Sequence, residues 1–406
     1  MRAMFSQCLW KRLLTGAPPV GNVLVSWSRR NSSILATIGT SSLTAPVTDP
    51  SEYRVEESNP AKHTLDDVGK FYQIPRRDFR MYFEGDLPRP VRTKFRGVGD
   101  SSIMIRRPGL EAIHYLKTAH PQGPSPKIVL WGKDGGGKFF THLHVNHFAH
   151  SNGWFLFDIM FPADFFRRVI NEIVPSEFMD GCFDMPYIGS KILLHIKIQN
   201  EELLSKILVK EDHEWSKREM TPKGVSLLEL VNHGIARAKH SNMVLQALIQ
   251  ELKKASNAGE CRCLVSVAGG NGIFLGRTVW KIRHTTMYRK AEDFTLSHVI
   301  AEAVKGDFNG GGVLFSLHLG AMYPDDRPEQ VTPLTMVGRE AFHVVDPFIP
   351  IEVPAYSPRE FRNALDYYRE VRWIDSPEAR SKEGGLELEF LTGRWPQELW
   401  NRTKWL

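Results

Sequence analysis

Five short apolar runs mark this chain, at 128–131, 154–159, 261–267, 313–318 and 348–353. Several are continuous in polarity, not alternating, as strands covered on both faces of a parallel sheet are. Between the third run and those before it the spacing changes. Residues 227–235 and 244–252 carry apolar side chains at i, i+3 and i+4, which predicts two amphipathic helices broken near 239–241. Strands alternating with helices predict a doubly wound α/β domain. The chain has no internal repeat.

The flanks read differently. Residues 34–62 are polar and rich in Thr, Ser and Pro, and predict a linker. Residues 66–80 mix a helical pattern with Pro75, and Pro88 and Pro90 predict an irregular stretch over 85–99. Pro108 opens a predicted helix, 108–117, with Leu110, Ile113 and Leu116 on one face. Proline suits the first turn because its missing N–H would be an orphan there in any case. Near the other end, Ser357–Pro358–Arg359–Glu360 combines a capping box with Pro at the first helical position. The helix it starts runs to about Trp373 with Phe361, Leu365 and Tyr368 inward, and another includes 396–401. The predicted organisation is therefore a linker and N-terminal extension over 34–107, an α/β domain over 108–355, and a helical, lid-like region over 356–406.

Of the formal net charge of +6 on 406 residues, +5 sits in residues 1–48 as Arg2, Lys11, Arg12, Arg29 and Arg30, with no acid before Asp49. An acid-free, Arg- and Ser-containing start with Met4, Phe5, Leu9 and Leu13 set against Lys11 and Arg12 is what a mitochondrial transit peptide needs. We place it at 1–33, with cleavage between Ser26 and Ser33; a basic arm is the alternative. The remaining 6 − 5 = +1 gives no bulk electrostatic grip on nucleic acid. Local basic spots remain candidate RNA-phosphate contacts: Arg76, Arg77 and Arg80, then Arg89 to Arg96, then Arg106 and Arg107. No apolar run reaches the roughly 18–20 residues of a membrane span, so no insertion is expected. Cys8, Cys182, Cys261 and Cys263 form neither a disulfide framework nor a zinc pattern, and are expected to be thiols in a reducing compartment.

The candidate chemistry lies just after the first apolar run. Gly132–Lys133–Asp134–Gly135–Gly136–Gly137–Lys138 has the spacing G-x-x-x-x-G-K, between a predicted strand and a predicted helix. In that setting backbone N–H groups of the turn and of the helix N-terminus face an anion, and the lysine reaches the terminal phosphates. The candidate phosphate-binding residues are Gly132, Gly135, Gly136, Gly137, Lys138 and Phe139. Phe139 stands where the motif places a magnesium-holding Ser or Thr, and a phenyl ring cannot ligate magnesium. The residue after Val267, where a magnesium-linked acid belongs, is Ala268. The loop therefore reads as degenerate. The enzymatic alternative is an NTPase using Asp158 or Thr141 as unconventional magnesium ligands. His142, His144, His147 and His150 include i, i+3 pairs, but with no Glu or Cys beside them we expect partly exposed imidazoles and no metal. No catalytic triad, paired acids or nucleophile elbow is present.

Longer signatures carry a resemblance. Glu214–Trp215–Ser216–Lys217–Arg218–Glu219 with Gly224, Gly276–Arg277–Thr278, and Asp346–Pro347–Phe348–Ile349–Pro350–Ile351 with Tyr356, Pro358 and Phe361 resemble the death-associated protein 3 family, with matches from about Asp66 to Asn401. The resemblance implies a P-loop NTPase (AAA-like) α/β fold: a parallel five-stranded sheet flanked by helices, with a C-terminal helical lid. It implies a non-enzymatic structural constituent of the mitochondrial small ribosomal subunit, in the matrix, touching ribosomal proteins and small-subunit rRNA, with no small-molecule substrate. It also implies GTP or GDP at the P-loop and a role in promoting apoptosis. Phe139 and Ala268 depart from the family pattern, and predict weak or lost GTP binding without a metal.

Overall fold

The computed structural model describes residues 49–404, apart from 88, 169–171, 283 and 340. The transit-peptide reading and Cys8 lie outside the described residues. The five apolar runs form one sheet: β1 Lys127–Trp131, β2 Phe155–Met160, β3 Cys263–Ala268, β4 Gly312–Ser316 and β5 Ile349–Glu352, in the order β5-β1-β4-β3-β2. Every pairing is parallel. The register places Val265 between Phe157 and Val313, and Leu130 beside Ile351.

Period-2 alternation within each strand feeds two separate cores. Val129, Phe157, Val265, Val313 and Phe315 point to one face. There they meet α3 (Pro186–Lys206), α4 (Leu227–Ala236), α5 (Ser241–Asn257) and α6 (Thr295–Val304). Ile128, Leu130, Leu156, Leu264 and Leu314 point to the other face, against α1 (Arg107–Thr118) and α2 (Lys138–Ser151). Both faces of β1 to β4 are covered, so those runs are almost wholly buried, whereas the edge strand β5 leaves Pro350 and Glu352 exposed. The break between α4 and α5 is real and falls at Arg237 and a 3₁₀ turn, Ala238–His240.

The long helix α3 was not among the predicted elements. It kinks at Asn200, whose side chain turns to the sheet. Asn200 Oδ1 accepts from Leu156 N at 2.7 Å, and its Nδ2 donates to Leu156 O at 2.9 Å. A side-chain amide thus makes the pairing that an adjacent strand would make along the edge strand β2.

Residues 49–62, polar enough to read as linker, carry structure. Tyr53 is buried, Arg54–Val55 pairs in parallel with Phe71–Gln73, and that strand pairs antiparallel with Ser102–Met104. Tyr53, Phe71 and Met104 form a third core with Phe361, Leu365, Tyr367 and Tyr368 of α7 (Pro358–Glu370), Leu388 of α8 (Lys382–Thr392) and Leu399 of α9 (Pro396–Thr403). The capping box is formed as read: Ser357 Oγ accepts from Glu360 N, and Glu360 Oε2 from Ser357 N.

Candidate functional site

The phosphate loop joins β1 to α2. Gly137 is the N-cap of α2 in the left-handed conformation, φ +99°, which a side chain disfavours. Gly136 is small for another reason: a Cβ there would stand 2.7 Å from Val353 O. The loop is thus closed from behind by the end of β5. From the side, Gln397 N at the start of α9 donates to Gly135 O at 3.1 Å.

Lys138 is 2% exposed and bends back onto its own loop. Its Nζ donates to Gly132 O at 2.6 Å, Lys133 O at 2.9 Å and Asp134 Oδ1 at 3.2 Å. The Asp134 carboxylate also accepts from Leu319 N at 3.1 Å and Gly320 N at 2.9 Å, just past β4. An anion already faces the P-loop lysine, and it belongs to the protein. Burial lowers the Lys138 pKa, partly offset by Asp134.

The magnesium side of the site is aromatic. Phe139 is buried, edge-on to Phe140 at 5.6 Å between centroids and stacked on Phe161 at 6.0 Å. Phe161 in turn meets the His318 ring at 5.4 Å. Burial, with Lys138 nearby, lowers the His318 pKa to about 3, so that ring is neutral. At the end of β3, Ala268 is fully buried and Gly269 turns the chain with φ +67°. Of the alternative ligands, Thr141 Oγ1 donates to Gly137 O at 3.3 Å within α2, and Asp158 is buried on the edge strand β2, with β4 and β3 between it and β1.

Arg106 was read as part of a basic surface spot. It is 4% exposed instead. Its guanidinium donates to Gly136 O at 2.5 Å, Glu360 Oε1 at 3.0 Å, Pro354 O at 3.0 Å and Ala355 O at 3.1 Å, and lies over the Tyr356 ring. One side chain thus ties the phosphate loop to the end of β5 and to α7. Neighbouring arginines also work inside the molecule: Arg76 donates to Gly99 O, Arg92 to Gly85 O and Leu87 O, and Arg96 pairs with Glu84 at 2.7 Å.

Of the histidines of α2, His150 is partly exposed, whereas His142, His144 and His147 are buried: His142 faces the sheet, and the N-terminal extension covers His144 and His147. His142 Nε2 meets Ser266 Oγ at 2.5 Å, His144 Nε2 meets His63 Nδ1 at 3.1 Å, and His147 Nδ1 meets Tyr72 Oη at 3.1 Å. Their partners differ, so the i, i+3 spacing does not converge on one point. Among the described residues one trio brings metal-type ligands together: Glu219, His233 and His240. There His233 Nε2 and His240 Nδ1 are 3.1 Å apart with centroids 5.3 Å apart, the dimensions of a head-on imidazole hydrogen bond. Glu219 is held by Arg237 at 2.9 Å. This is a hydrogen-bonded pair beside an ion pair.

Together the fold and the loop define a P-loop α/β protein of five parallel strands whose phosphate loop is satisfied by its own side chains. The profile of the mitochondrial ribosomal death-associated protein 3 family matches residues 103–401, and the chain belongs to that family. It is 33% identical over 346 residues to the small ribosomal subunit protein mS29 of Mus musculus, covering 85% of this chain and 88% of that protein. It is also 33% identical over 345 residues to the mS29 of Bos taurus, covering 84% and 85%.

Asp134, Phe161, His318 and Arg106 were not read as parts of the site from the sequence. Asp134 alone left a signal, a carboxylate inside a loop built to hold an anion.

Proposed function

We infer that this chain is a structural constituent of the small subunit of the mitochondrial ribosome, working in the matrix. Family membership over residues 103–401 carries this reading. Its neighbours there are mitochondrial ribosomal proteins and small-subunit rRNA. Burial of Arg106 removes one cation from RNA, and the near-neutral charge of residues 49–406 favours protein contacts as the larger share. Sedimentation of a magnesium-containing mitochondrial lysate tests it. The chain should travel with small-subunit rRNA and leave those fractions when EDTA and high salt strip the particles; accumulation only at the top of the gradient would overturn the reading.

The phosphate loop serves as a structural joint, with weak or lost, magnesium-independent binding of GTP or GDP. The support is the placement of Phe139 and Ala268 where a hydroxyl and an acid would hold magnesium, together with the pairing of Lys138 by Asp134. A low-micromolar or tighter, Mg²⁺-dependent GTP affinity of the purified protein would sink this. GTP turnover abolished in Lys138→Ala would favour an enzyme instead.

A further inference from the structure

The helix α8 buries Gly385, Leu388 and Thr392 against the third core. Its opposite face is Glu383, Leu386, Glu387, Phe390 and Leu391, at i, i+3, i+4, i+7 and i+8, and all five are exposed. Leu386 is 60%, Phe390 87% and Leu391 45% exposed. Single exposed apolar residues are ordinary, but three on one helical face form a patch. The polar members of that face are both acids. Neither Glu383 nor Glu387 has an ion pair among the described residues, whereas nearby Glu389 is engaged by Arg394 and Asp375 by Arg380. The one cation of α8 itself is Lys382, where the helix opens.

We propose that this face of α8 docks a basic, apolar-anchored segment of another protein. The partner's apolar side chains cover Leu386, Phe390 and Leu391, and its lysines or arginines meet Glu383 and Glu387. Charge selects among the possible occupants. RNA would set phosphates against two carboxylates. A second copy packing the same face about a two-fold axis would oppose acid to acid. A basic peptide relieves both carboxylates while the apolar patch is buried, and aromatic anchors such as Phe390 are where such interfaces concentrate their energy.

The test places p-benzoylphenylalanine at position 390 of the full-length chain in mitochondria and sequences the photo-crosslinked product. Phe390 is 87% exposed, so its replacement leaves the fold intact, which an unchanged thermal midpoint verifies. The expected product is a peptide of a different protein carrying at least two Lys or Arg within a helical turn or two of the crosslink. Its yield should fall about tenfold or more in Glu383→Lys/Glu387→Lys, less in Glu383→Gln/Glu387→Gln, and strongly in Leu386→Ser. A crosslink to RNA, to another copy of this chain, or to an acidic segment would overturn the proposal. So would a yield indifferent to charge reversal, or no product at all.

Discussion

Asp134 pairs with Lys138 at 3.2 Å across one turn of the phosphate loop, and the same carboxylate caps the N–H groups of Leu319 and Gly320. It is the anion that the loop lysine faces. Removing it should uncover whatever anion affinity the loop retains. We predict that Asp134→Ala raises affinity for GTP in the absence of Mg²⁺ by about tenfold, or about 1.4 kcal/mol, read by titration calorimetry. Equal or weaker binding in the variant would mean that the carboxylate is not the competitor.

Phe139 fills the magnesium side with a buried ring packed on Phe161. Phe139→Thr should therefore lose stability by about 2–4 kcal/mol through the deleted aromatic surface. It should gain no Mg²⁺-dependent nucleotide binding, because Ala268 still leaves the second position without an acid. Denaturant midpoints and calorimetry with and without Mg²⁺ report the two halves separately. Metal-dependent binding from this single change would contradict the account of the site.

Arg106 and Glu360 are both nearly buried and bond at 3.0 Å. Arg106→Met leaves the Glu360 carboxylate short of its partner and should cost about 3–5 kcal/mol. Glu360 also caps α7 through Ser357 N, so Glu360→Gln, which keeps an acceptor, should cost less. Arg106→Met with Glu360→Gln should be milder than the sum of the two single changes, since no orphan charge remains. Urea unfolding of the three variants gives this coupling; strict additivity would show that the pair does not act as a unit.

Four strands of the sheet could be read from the sequence because β1 to β4 are covered on both faces, and a short continuous apolar run records that directly; β5 alternates instead, with Pro350 and Glu352 exposed. The helix α3 could not. Leu194 and Ile198 are exposed while Ile192, Leu193 and Ile196 are buried, so apolar side chains surround the helix and blur its stripe. The order in 49–62 was hidden by composition, since one residue, Tyr53, anchors a polar stretch. Arg106 looked like surface charge because its partners, Glu360 and Gly136, are distant in sequence and no local pattern encodes them. The glycine turn between β1 and α2 was legible from its spacing. Its self-satisfied state was not, because this depends on Leu319 and Gly320 arriving from the far side of β4.

The buried imidazoles make stability sensitive to mild acid. Burial lowers the pKa of His142 and His147 to about 3, and that of His144 well below 6.5. Folded values lie below unfolded ones, so as pH falls below about 6.5 the unfolded chain takes up protons first. Stability should be whole above pH 6.5 and decline toward pH 3, by up to about 1.4 kcal/mol per pH unit for each histidine involved. Urea midpoints at pH 7.5, 6 and 5 should fall with more than one proton taken up on unfolding, and less steeply in His142→Asn. A flat profile over that range would show that these rings are not held neutral by the fold.

The third core unites Tyr53, Phe71 and Met104 with side chains of α7, α8 and α9, Phe361, Leu388 and Leu399 among them. A chain made from its amino end must keep the first group waiting until the last helices have been synthesised, with apolar surface bare throughout. Contacts so distant in sequence close slowly, because the long loop must be drawn in before they give anything back. The tie from Arg106 to Glu360 closes only then. Completion of the carboxyl-terminal helices thus acts as a checkpoint on the whole molecule: a nascent or prematurely ended chain can pair its five strands and still offer chaperones a surface that a finished one has put away.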